Sequence, residues 1–166
     1  MNTHLGTLAE TLPALNEVGL LPRVESPDQV PELLREMKTS ILPGFIIRGE
    51  AGMEAIEQHQ KVAQVIDVQF PGATIQRGQW TIKSEGGSRG DRHRDQSNPA
   101  YRLHTTLSNG GFVVLETSDD EHNVKLREHV EPGDSVFFRI DQPHRFDTDT
   151  ANVDRETCTT TWYPNT

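Results

Sequence analysis

Residues 131–144 read EPGDSVFFRIDQPH, and this stretch does most to decide the fold. It indicates a turn at residues 132–134, a short apolar strand around Val136-Phe137-Phe138, and a second turn that ends on His144. Such a strand delivers the side chain that follows it to the rim of a β-sheet or barrel. Read alone, His144 fits a metal ligand and a half-buried structural histidine equally well.

The same sequence pattern continues from residue 73 to the end of the chain, with short β-branched and aromatic runs separated by Gly, Pro, Asn and Asp. Seven or so short strands with tight connections are typical of a jelly roll or cupin-like barrel, in which paired sheets remove exposed edges. The sequence therefore predicts a mainly β core. The predicted strands are Thr74–Ser84, Tyr101–Leu107, Phe112–Glu116, Val124–Val130, Ser135–Ile140, His144–Asp147 and Glu156–Tyr163.

The first 70 residues have a mostly helical pattern. Residues 1–27 fit either a short helix or an extended arm over the core. Ser26-Pro27-Asp28 indicates a helix start, and apolar residues recur at helical spacing up to the break at Pro43-Gly44. A second helix is predicted over Gly52–Val68. Because 166 residues fit one domain, we expect residues 1–166 to form a single unit in which residues 1–70 pack on the β core of residues 73–166.

The chain is acidic, since 16 Lys and Arg against 25 Asp and Glu give a formal net charge of −9. This charge argues against a general nucleic-acid or membrane-surface binder, whose affinity rests on neutralising phosphates. The segment 77–102 is locally basic. A solvated loop is its simplest interpretation, and guidance of a nucleic acid or an acidic peptide toward a site is the alternative.

The cysteine content bears on the compartment. The single cysteine, Cys158, excludes an internal disulfide framework and fits a reducing environment, so we expect a cytoplasmic protein. No apolar run approaches the roughly 20 residues of a membrane span, and the N-terminus lacks a basic region followed by an apolar stretch. We therefore expect neither membrane insertion nor secretion.

Three residues form a candidate metal site. His93 and Asp95 are two apart, so in an extended segment both side chains lie on one face. Together with His144 they make two imidazoles and one carboxylate, the set with which non-haem Fe(II) oxygenases occupy one face of the metal and leave positions for a co-substrate and O2. A His-x-Asp pair alone is more often an ordinary polar loop. The other histidines lack comparable context, and they are His4, His59, His122 and His129.

Two further pairs are candidates for binding an organic acid. Arg155 and Thr157 share one strand face, where a guanidinium fork and a hydroxyl can hold the far carboxylate of 2-oxoglutarate. Arg102 and His104 alternate in the same way and can neutralise its C1 carboxylate beside the metal. The alternatives stay open: Arg155 can pair with a neighbouring acid at the surface, and Arg102 and His104 can face solvent.

Taken in order, these residues resemble the aspartyl/asparaginyl β-hydroxylase and proline hydroxylase branch of the Fe(II)- and 2-oxoglutarate-dependent dioxygenases. The resemblance covers about the C-terminal half of the chain. It rests on His93-x-Asp95, Arg102-Leu103-His104, Pro132-Gly133-Asp134, His144, Arg155 and Thr161-Trp162-Tyr163-Pro164. Aspartyl β-hydroxylases lack the carboxylate ligand, whereas Asp95 is present here, as in the proline hydroxylases. Asp95 also argues against a halogenase, which needs that coordination position for halide.

The resemblance implies a double-stranded β-helix with Fe(II) bound by His93, Asp95 and His144. It implies that Arg102 and His104 hold 2-oxoglutarate near the metal and that Arg155 binds its far carboxylate. The implied reaction uses O2 to hydroxylate an unactivated C–H bond and yields succinate and CO2. The implied substrate is an amino acid, free or within a peptide. Candidate substrate-side walls are Trp80, Tyr101 and the loop from Gly86 to Arg92, although ordinary core packing is the more common role for a residue such as Trp80.

Two other functions fit parts of the same pattern. Residues 132–144 also resemble the second motif of a metal-binding cupin without 2-oxoglutarate chemistry, although cupins usually show His-x-His where this chain has His93-x-Asp95. A non-catalytic β-barrel that binds a ligand or partner and keeps its histidines for structure is the other alternative. Binding of Fe(II) and of 2-oxoglutarate separates the three.

Overall fold

The computed structural model describes residues 20–39, 42–82, 92–116 and 125–164. A short 3-10 turn, Pro27–Gln29, leads into helix α1, and a second helix, α2, follows after the first strand. The helices are α1 (Val30–Thr39) and α2 (Met53–Asp67). The strands are β1 (Gly44–Ile47), β2 (Thr74–Ile82), β3 (Tyr101–Thr106), β4 (Gly111–Glu116), β5 (Lys125–Val130), β6 (Ser135–Arg139), β7 (His144–Thr148) and β8 (Arg155–Tyr163).

The strands form two antiparallel sheets. The larger sheet has the order β1-β6-β3-β8-β2, and the smaller one has the order β5-β4-β7. From β3 onward the chain passes repeatedly between the sheets, because β3, β6 and β8 lie in the larger one and β4, β5 and β7 in the smaller one. Two facing sheets wound in this way are a double-stranded β-helix, so the predicted fold is confirmed.

The seven predicted strands are all present, and every predicted strand end within the described residues agrees with the structure to within one residue. An eighth strand, β1, comes from the apolar run before α2 and pairs with β6. The arm before α1 is extended at residues 20–24, where the Val24 N–H donates to the carbonyl of Ile46 at 2.9 Å. Predictions for residues 1–19, Lys83, Ser84 and Val124 lie outside the described residues.

Two apolar clusters lie on opposite faces of the larger sheet. The outer cluster joins α1 and α2 to the sheet and includes Leu34, Met37, Phe45, Ile66, Leu103, Phe137 and Trp162. The cluster between the sheets includes Ile46, Val113, Leu115, Val136, Phe138 and Ile140. Because the helices cover the outer face, the polar side chains on the inner face of β3 and β8 are left to line the space between the sheets. Within the described ranges, no helix is long and apolar enough to cross a membrane.

A buried histidine also joins α2 to the larger sheet. His59 Nδ1 lies 2.7 Å from the hydroxyl of Thr105 on β3, and Nε2 lies 2.8 Å from the hydroxyl of Thr160 on β8. Burial in the first place, and the nearby charge of Arg77 in the second, lower the pKa of His59 to about 4. The imidazole is therefore neutral in the folded protein at pH values where the unfolded chain is already protonated.

We expect this histidine to make the fold sensitive to acid. Between pH 6.5 and about 4 the unfolded state binds a proton at His59 that the folded state does not, so stability falls as the pH is lowered through that window. A difference of this size is worth about 3 kcal/mol when fully expressed. Urea unfolding at pH 7, 6 and 5 measures the free energy of unfolding of wild type and of His59→Gln. We expect the two values to converge as the pH falls, because only the wild type loses stability through protonation of His59 in the unfolded state. Parallel curves would contradict the prediction.

Candidate metal and co-substrate site

The tertiary structure brings His93, Asp95 and His144 together at the rim of the barrel. Each offers one ligand atom, and the three atoms lie within 4.8 Å of one another. Backbone pairing sets this register: the N–H of His93 donates to the carbonyl of His144 at 3.0 Å, and the reciprocal bond is 2.9 Å. The Asp95 N–H donates to the carbonyl of Ile140 at 2.9 Å. The His-x-Asp segment thus lies beside β7.

The tautomer of His144 follows from its backbone contact. His144 Nδ1 lies 2.8 Å from the carbonyl oxygen of Gln142, which can only accept, so Nδ1 carries the proton. A bound metal would face the lone pair of Nε2, which lies on the side of Asp95, whose Oδ2 is 3.5 Å away. His93 Nε2 lies 3.4 Å from the other carboxylate oxygen. Two imidazole nitrogens and a carboxylate therefore converge on one point, a donor set that fits Fe(II).

The two histidines differ in exposure. The side chain of His144 is 2% exposed and packs edge-on against Phe138, with 4.9 Å between ring centroids. The side chain of His93 is 49% exposed. Among the described residues, the candidate metal site is therefore shielded from solvent at His144 and more exposed at His93.

Arg102 holds the carboxylate of the site. Its Nη1 donates to Asp95 Oδ2 at 2.9 Å, and its Nε donates to the hydroxyl of Thr161 on β8 at 3.0 Å. Contact with His144, and to a smaller extent the charge of Arg102, keep the pKa of Asp95 below its usual range. The carboxylate is thus kept ionised, as a metal ligand must be. Alternation along β8 from Arg155 and Thr157 would have revealed Thr161, which the sequence analysis missed.

A buried arginine lies on the inner face at the start of β8. Arg155 is 1% exposed; its Nη2 donates to the carbonyl of Asp147 at 2.8 Å and its Nε to that of Asn109 at 3.3 Å. Its Nη1 is buried and has no hydrogen-bond partner among the described residues. Burial lowers the pKa of this guanidinium, because nearby Asp147 and Asp149 only partly offset the loss of solvent. A buried cationic donor without an acceptor fits an incoming carboxylate.

His104 lies on the same inner face as Arg155. Its ring stacks on Phe146 with 4.3 Å between centroids, and the Arg155 guanidinium lies 5.5 Å from the centroid of the same phenyl ring. Burial lowers the pKa of His104 well below its ordinary value, with Arg155 adding to the effect, so the ring is neutral. His104 Nε2 is also buried without a partner among the described residues. Phe146 follows His144 by two residues on β7, so alternation alone would have placed it here.

A cavity of about 280 Å³ opens between the sheets. The sequence-predicted residues Arg102, His104 and Thr157 line it. Arg102 in turn donates a hydrogen bond to the carboxylate of Asp95. The remaining lining residues are Gln76, Trp80, Ile82, Thr159 and Thr161. The side chains of Arg102, His104 and Arg155 therefore lie on the inner face of the larger sheet and do not face the solvent outside it.

The predicted substrate walls have different outcomes. Trp80 lines the cavity and is 52% exposed, so it is not part of the packed core. The prediction for Tyr101 is wrong: it is 6% exposed and stacks on Phe70 and Phe137 under the helices. The period of two along β3 sends Tyr101 outward because Arg102 points inward. Of the predicted loop wall, residues 86–91 lie outside the described residues.

Gly111 on β4 packs closely against the backbone of β7 and the guanidinium of Arg155. A Cβ at this position would overlap the carbonyl oxygen of Asp147 and lie 2.5 Å from Arg155 Nη2. We expect Gly111→Ala to destabilise the fold by about 3 kcal/mol, since the obstacle is backbone and cannot rotate away. Chemical denaturation against Thr150→Ala, an exposed control, measures the effect. Unchanged stability would mean that β4 and β7 separate without cost.

Comparison with known proteins identifies the fold. No protein-family model matches the chain, and no curated protein shows significant sequence similarity to it. An oxidoreductase of the 2OG-Fe(II) oxygenase family from Burkholderia pseudomallei is similar in structure, with a TM-score of 0.51 and 11% identity over 89% of this chain and 94% of that chain. The chain therefore has the double-stranded β-helix fold found in that oxygenase.

Two other structures match at lower TM-scores. A Pseudomonas putida prolyl-4-hydroxylase has a TM-score of 0.44 and 16% identity, over 84% of this chain and 86% of that one. EvdO2 from Micromonospora carbonacea var. aurantiaca, complexed with 2-oxoglutarate, has a TM-score of 0.45 and 12% identity, over 88% of this chain and 68% of that one.

Proposed function

We propose that this chain is an Fe(II)- and 2-oxoglutarate-dependent dioxygenase that hydroxylates an unactivated C–H bond. The observation that carries the proposal is the combination, in one barrel, of the His93–Asp95–His144 donor set with the buried, partly unpartnered guanidinium of Arg155. The carbonyls of Asn109 and Asp147 account for Nε and Nη2 of Arg155, whereas the buried donor Nη1 is left for an organic-acid co-substrate. When bound, Fe(II), 2-oxoglutarate and O2 supply the oxidising chemistry, with succinate and CO2 as co-products.

The roles of the protein groups follow from their contacts. His93 and His144 offer Nε2 and Asp95 offers a carboxylate oxygen to the metal. Arg155 Nη1 donates to the far carboxylate of 2-oxoglutarate, and Thr157, two residues along the same strand face, adds a hydroxyl. The dry wall at His144 and Phe138 excludes water on one side of the metal.

For the substrate, we propose an amino acid, free or within a peptide, in line with the motif order shared with the aspartyl/asparaginyl β-hydroxylase and proline hydroxylase branch. The open side at His93 gives such a substrate access to the metal. An assay with amino acids and short peptides, following succinate release, tests this part of the proposal. Activity only on substrates without an amino-acid unit would contradict it.

Anaerobic titration with Fe(II) and then 2-oxoglutarate tests the proposed cofactors without a substrate. We expect a saturable visible charge-transfer band when the keto acid chelates the iron. Iron binding without the band would favour the metal-binding cupin, and no iron binding would favour the non-catalytic barrel.

Arg102 gives a sharper test within the same site. The sequence suggested that it clamps the C1 carboxylate of 2-oxoglutarate, whereas its closest acidic contact is Asp95 at 2.9 Å. We therefore propose that Arg102 chiefly positions Asp95, and we expect Arg102→Met to weaken metal binding by about 10- to 100-fold. Calorimetric titration with Mn(II), followed by 2-oxoglutarate, separates the two roles. A loss confined to 2-oxoglutarate affinity, with Arg77→Met unchanged in both titrations, would instead support the clamp.

A further inference from the structure

We propose that Trp80 and Ile82 form a platform that binds an uncharged ring of the substrate in the cavity that Arg102 and Thr157 also line. The platform consists of these two side chains on the inner face of β2. This inference rests on the proposed function, because it assigns the substrate class of the same cavity. It also narrows the expected substrate: a free zwitterionic amino acid is less suitable than a ring-bearing residue within a peptide or another neutral molecule.

Strand register places the platform on the cavity side. In the antiparallel pair of β2 and β8, Trp80 lies opposite Thr157 and Ile82 lies opposite Arg155. Residues directly opposite on paired strands share a sheet face, so both apolar side chains point the same way as the two residues assigned to 2-oxoglutarate. Trp80 and Ile82 also line the cavity of about 280 Å³, to which Arg102 contributes another part of the wall.

The indole of Trp80 is held in one orientation. Its Nε1–H donates to the hydroxyl of Thr159 at 2.9 Å, which satisfies the only polar group of the side chain. The ring lies over Gly78, where a Cβ would approach Cζ2 to 2.6 Å and Cε2 to 2.7 Å. Glycine at this position thus lets one face of the indole rest on the strand, and the other face remains for a ligand.

The platform leaves much apolar surface uncovered. Trp80 is 52% exposed and Ile82 is 42% exposed, although both lie on a sheet face whose partners on β8 are buried. Such surface is unfavourable in water, and a contiguous apolar patch at the mouth of a cavity is typical of a binding site. A flat ring that stacks on the indole and contacts Ile82 would remove it from water.

The charges of the cavity favour a neutral ligand at the platform. Among the described lining residues the charged side chain is Arg102, and its guanidinium already contacts Asp95 and Thr161. The other lining groups are hydroxyls, an amide and the neutral imidazole of His104. Cations are the competing class of ligand, since aromatic faces attract them. Tetramethylammonium serves as the probe for this class.

The platform shares its cavity with Arg102, which contacts the candidate metal ligand Asp95 at 2.9 Å. On β8 the partner of Trp80 is Thr157, whereas the partner of Arg102 is Thr161, four residues further along the strand. A ring on the platform therefore lies along the sheet from the metal ligands, on the side of Arg155.

Saturation-transfer NMR tests binding with phenylacetamide and cyclohexanecarboxamide as neutral probes and tetramethylammonium as the cationic one. We expect both neutral probes to bind metal-free wild type saturably in the millimolar range. Ile82→Ala should weaken this binding about fivefold and Trp80→Ala more than tenfold, whereas Trp80→Phe keeps a ring and most of the affinity. Met53→Ala, which removes a 75% exposed apolar side chain from α2, is the matched control and should change nothing.

Three results would overturn the proposal. Binding of tetramethylammonium alone would make this a cation site. Absence of saturable transfer from both neutral probes would remove the platform. Acrylamide quenching gives an independent check, because Trp162 is fully buried and Trp80 is the other of the two tryptophans. Emission that resists acrylamide would mean that the chain itself covers the indole.

Loading with Mn(II) separates this inference from the proposed function. If both hold, Mn(II) binds and shortens the proton relaxation times of the bound neutral probe. If Mn(II) binds but leaves probe relaxation unchanged, the platform does not share a cavity with the metal site and the inference fails. If Mn(II) does not bind while the probe still does, the proposed function fails and the ring site stands as a separate binding site.

Discussion

Replacing His144 with alanine is expected to abolish metal binding, with affinity for Fe(II) or Mn(II) falling by more than about 100-fold. The reason is that His144 is the most constrained of the three candidate ligands. Its Nδ1 is held by the carbonyl of Gln142, its backbone pairs with His93 in both directions, and its ring is almost fully buried. Calorimetric or Mn(II) relaxation titration of wild type and variant measures the loss.

The control must separate a lost ligand from a damaged fold. His144→Gln retains most of the side-chain volume against Phe138, so it should lose metal affinity while unfolding close to the wild-type temperature. His129→Ala alters a histidine that pairs with Asp149 and lies outside the candidate site, and it should bind metal normally. Wild-type metal affinity in both His144 variants would show that the donor set does not hold the ion.

The second large effect is expected at Arg155. Arg155→Met should weaken 2-oxoglutarate binding by more than 100-fold, about 3 kcal/mol, because it removes a desolvated charge and the donor Nη1. Arg155→Lys keeps the charge but lacks the planar fork, so a loss of about 10-fold is expected. Titration of 2-oxoglutarate into the Mn(II)-loaded protein measures both. Metal affinity should stay unchanged, because within the described residues Arg155 contacts Asn109, Asp147 and Phe146 and none of the three ligands.

Arg155 also has a structural role that the experiment must take into account. Its other nitrogens donate to the carbonyls of Asn109 and Asp147, and methionine would leave these acceptors without that donor. A loss of about 1 to 3 kcal/mol in the free energy of unfolding is expected for that reason. Arg77→Met, on the outer face of β2, is the surface control. Equal 2-oxoglutarate affinity in Arg155→Met and wild type would remove the clamp and weaken the dioxygenase proposal itself.

The cavity is divided into polar and apolar walls. His104 and Thr157 supply polar contacts from the larger sheet, while Trp80 and Ile82 supply an apolar edge at β2. Under the proposed function, 2-oxoglutarate and the substrate therefore use different surfaces of one barrel.

The amino-acid sequence by itself determined the class of fold and the identity of the candidate ligands. The alternation of apolar and polar residues along β3 and β8 predicts which side chains share a face, and that period is a local property of extended chain. Turn residues at 132–134 and 141–143 mark where β6 begins and where His144 follows it. The identity and order of His93, Asp95, His144 and Arg155 can also be read directly from the sequence.

Only the tertiary structure decided which of the two faces points inward and which groups meet. Alternation gives two faces but no direction, and the packing of α2 against β3 and β8 turns Tyr101 toward the helices and Arg102 toward the cavity. The Arg102–Asp95 contact and the hydrogen bond from Trp80 to Thr159 depend on strand pairing between distant segments. Such pairings are set by the whole sheet, because the free energy that selects them comes from burial shared among many residues and not from any single stretch.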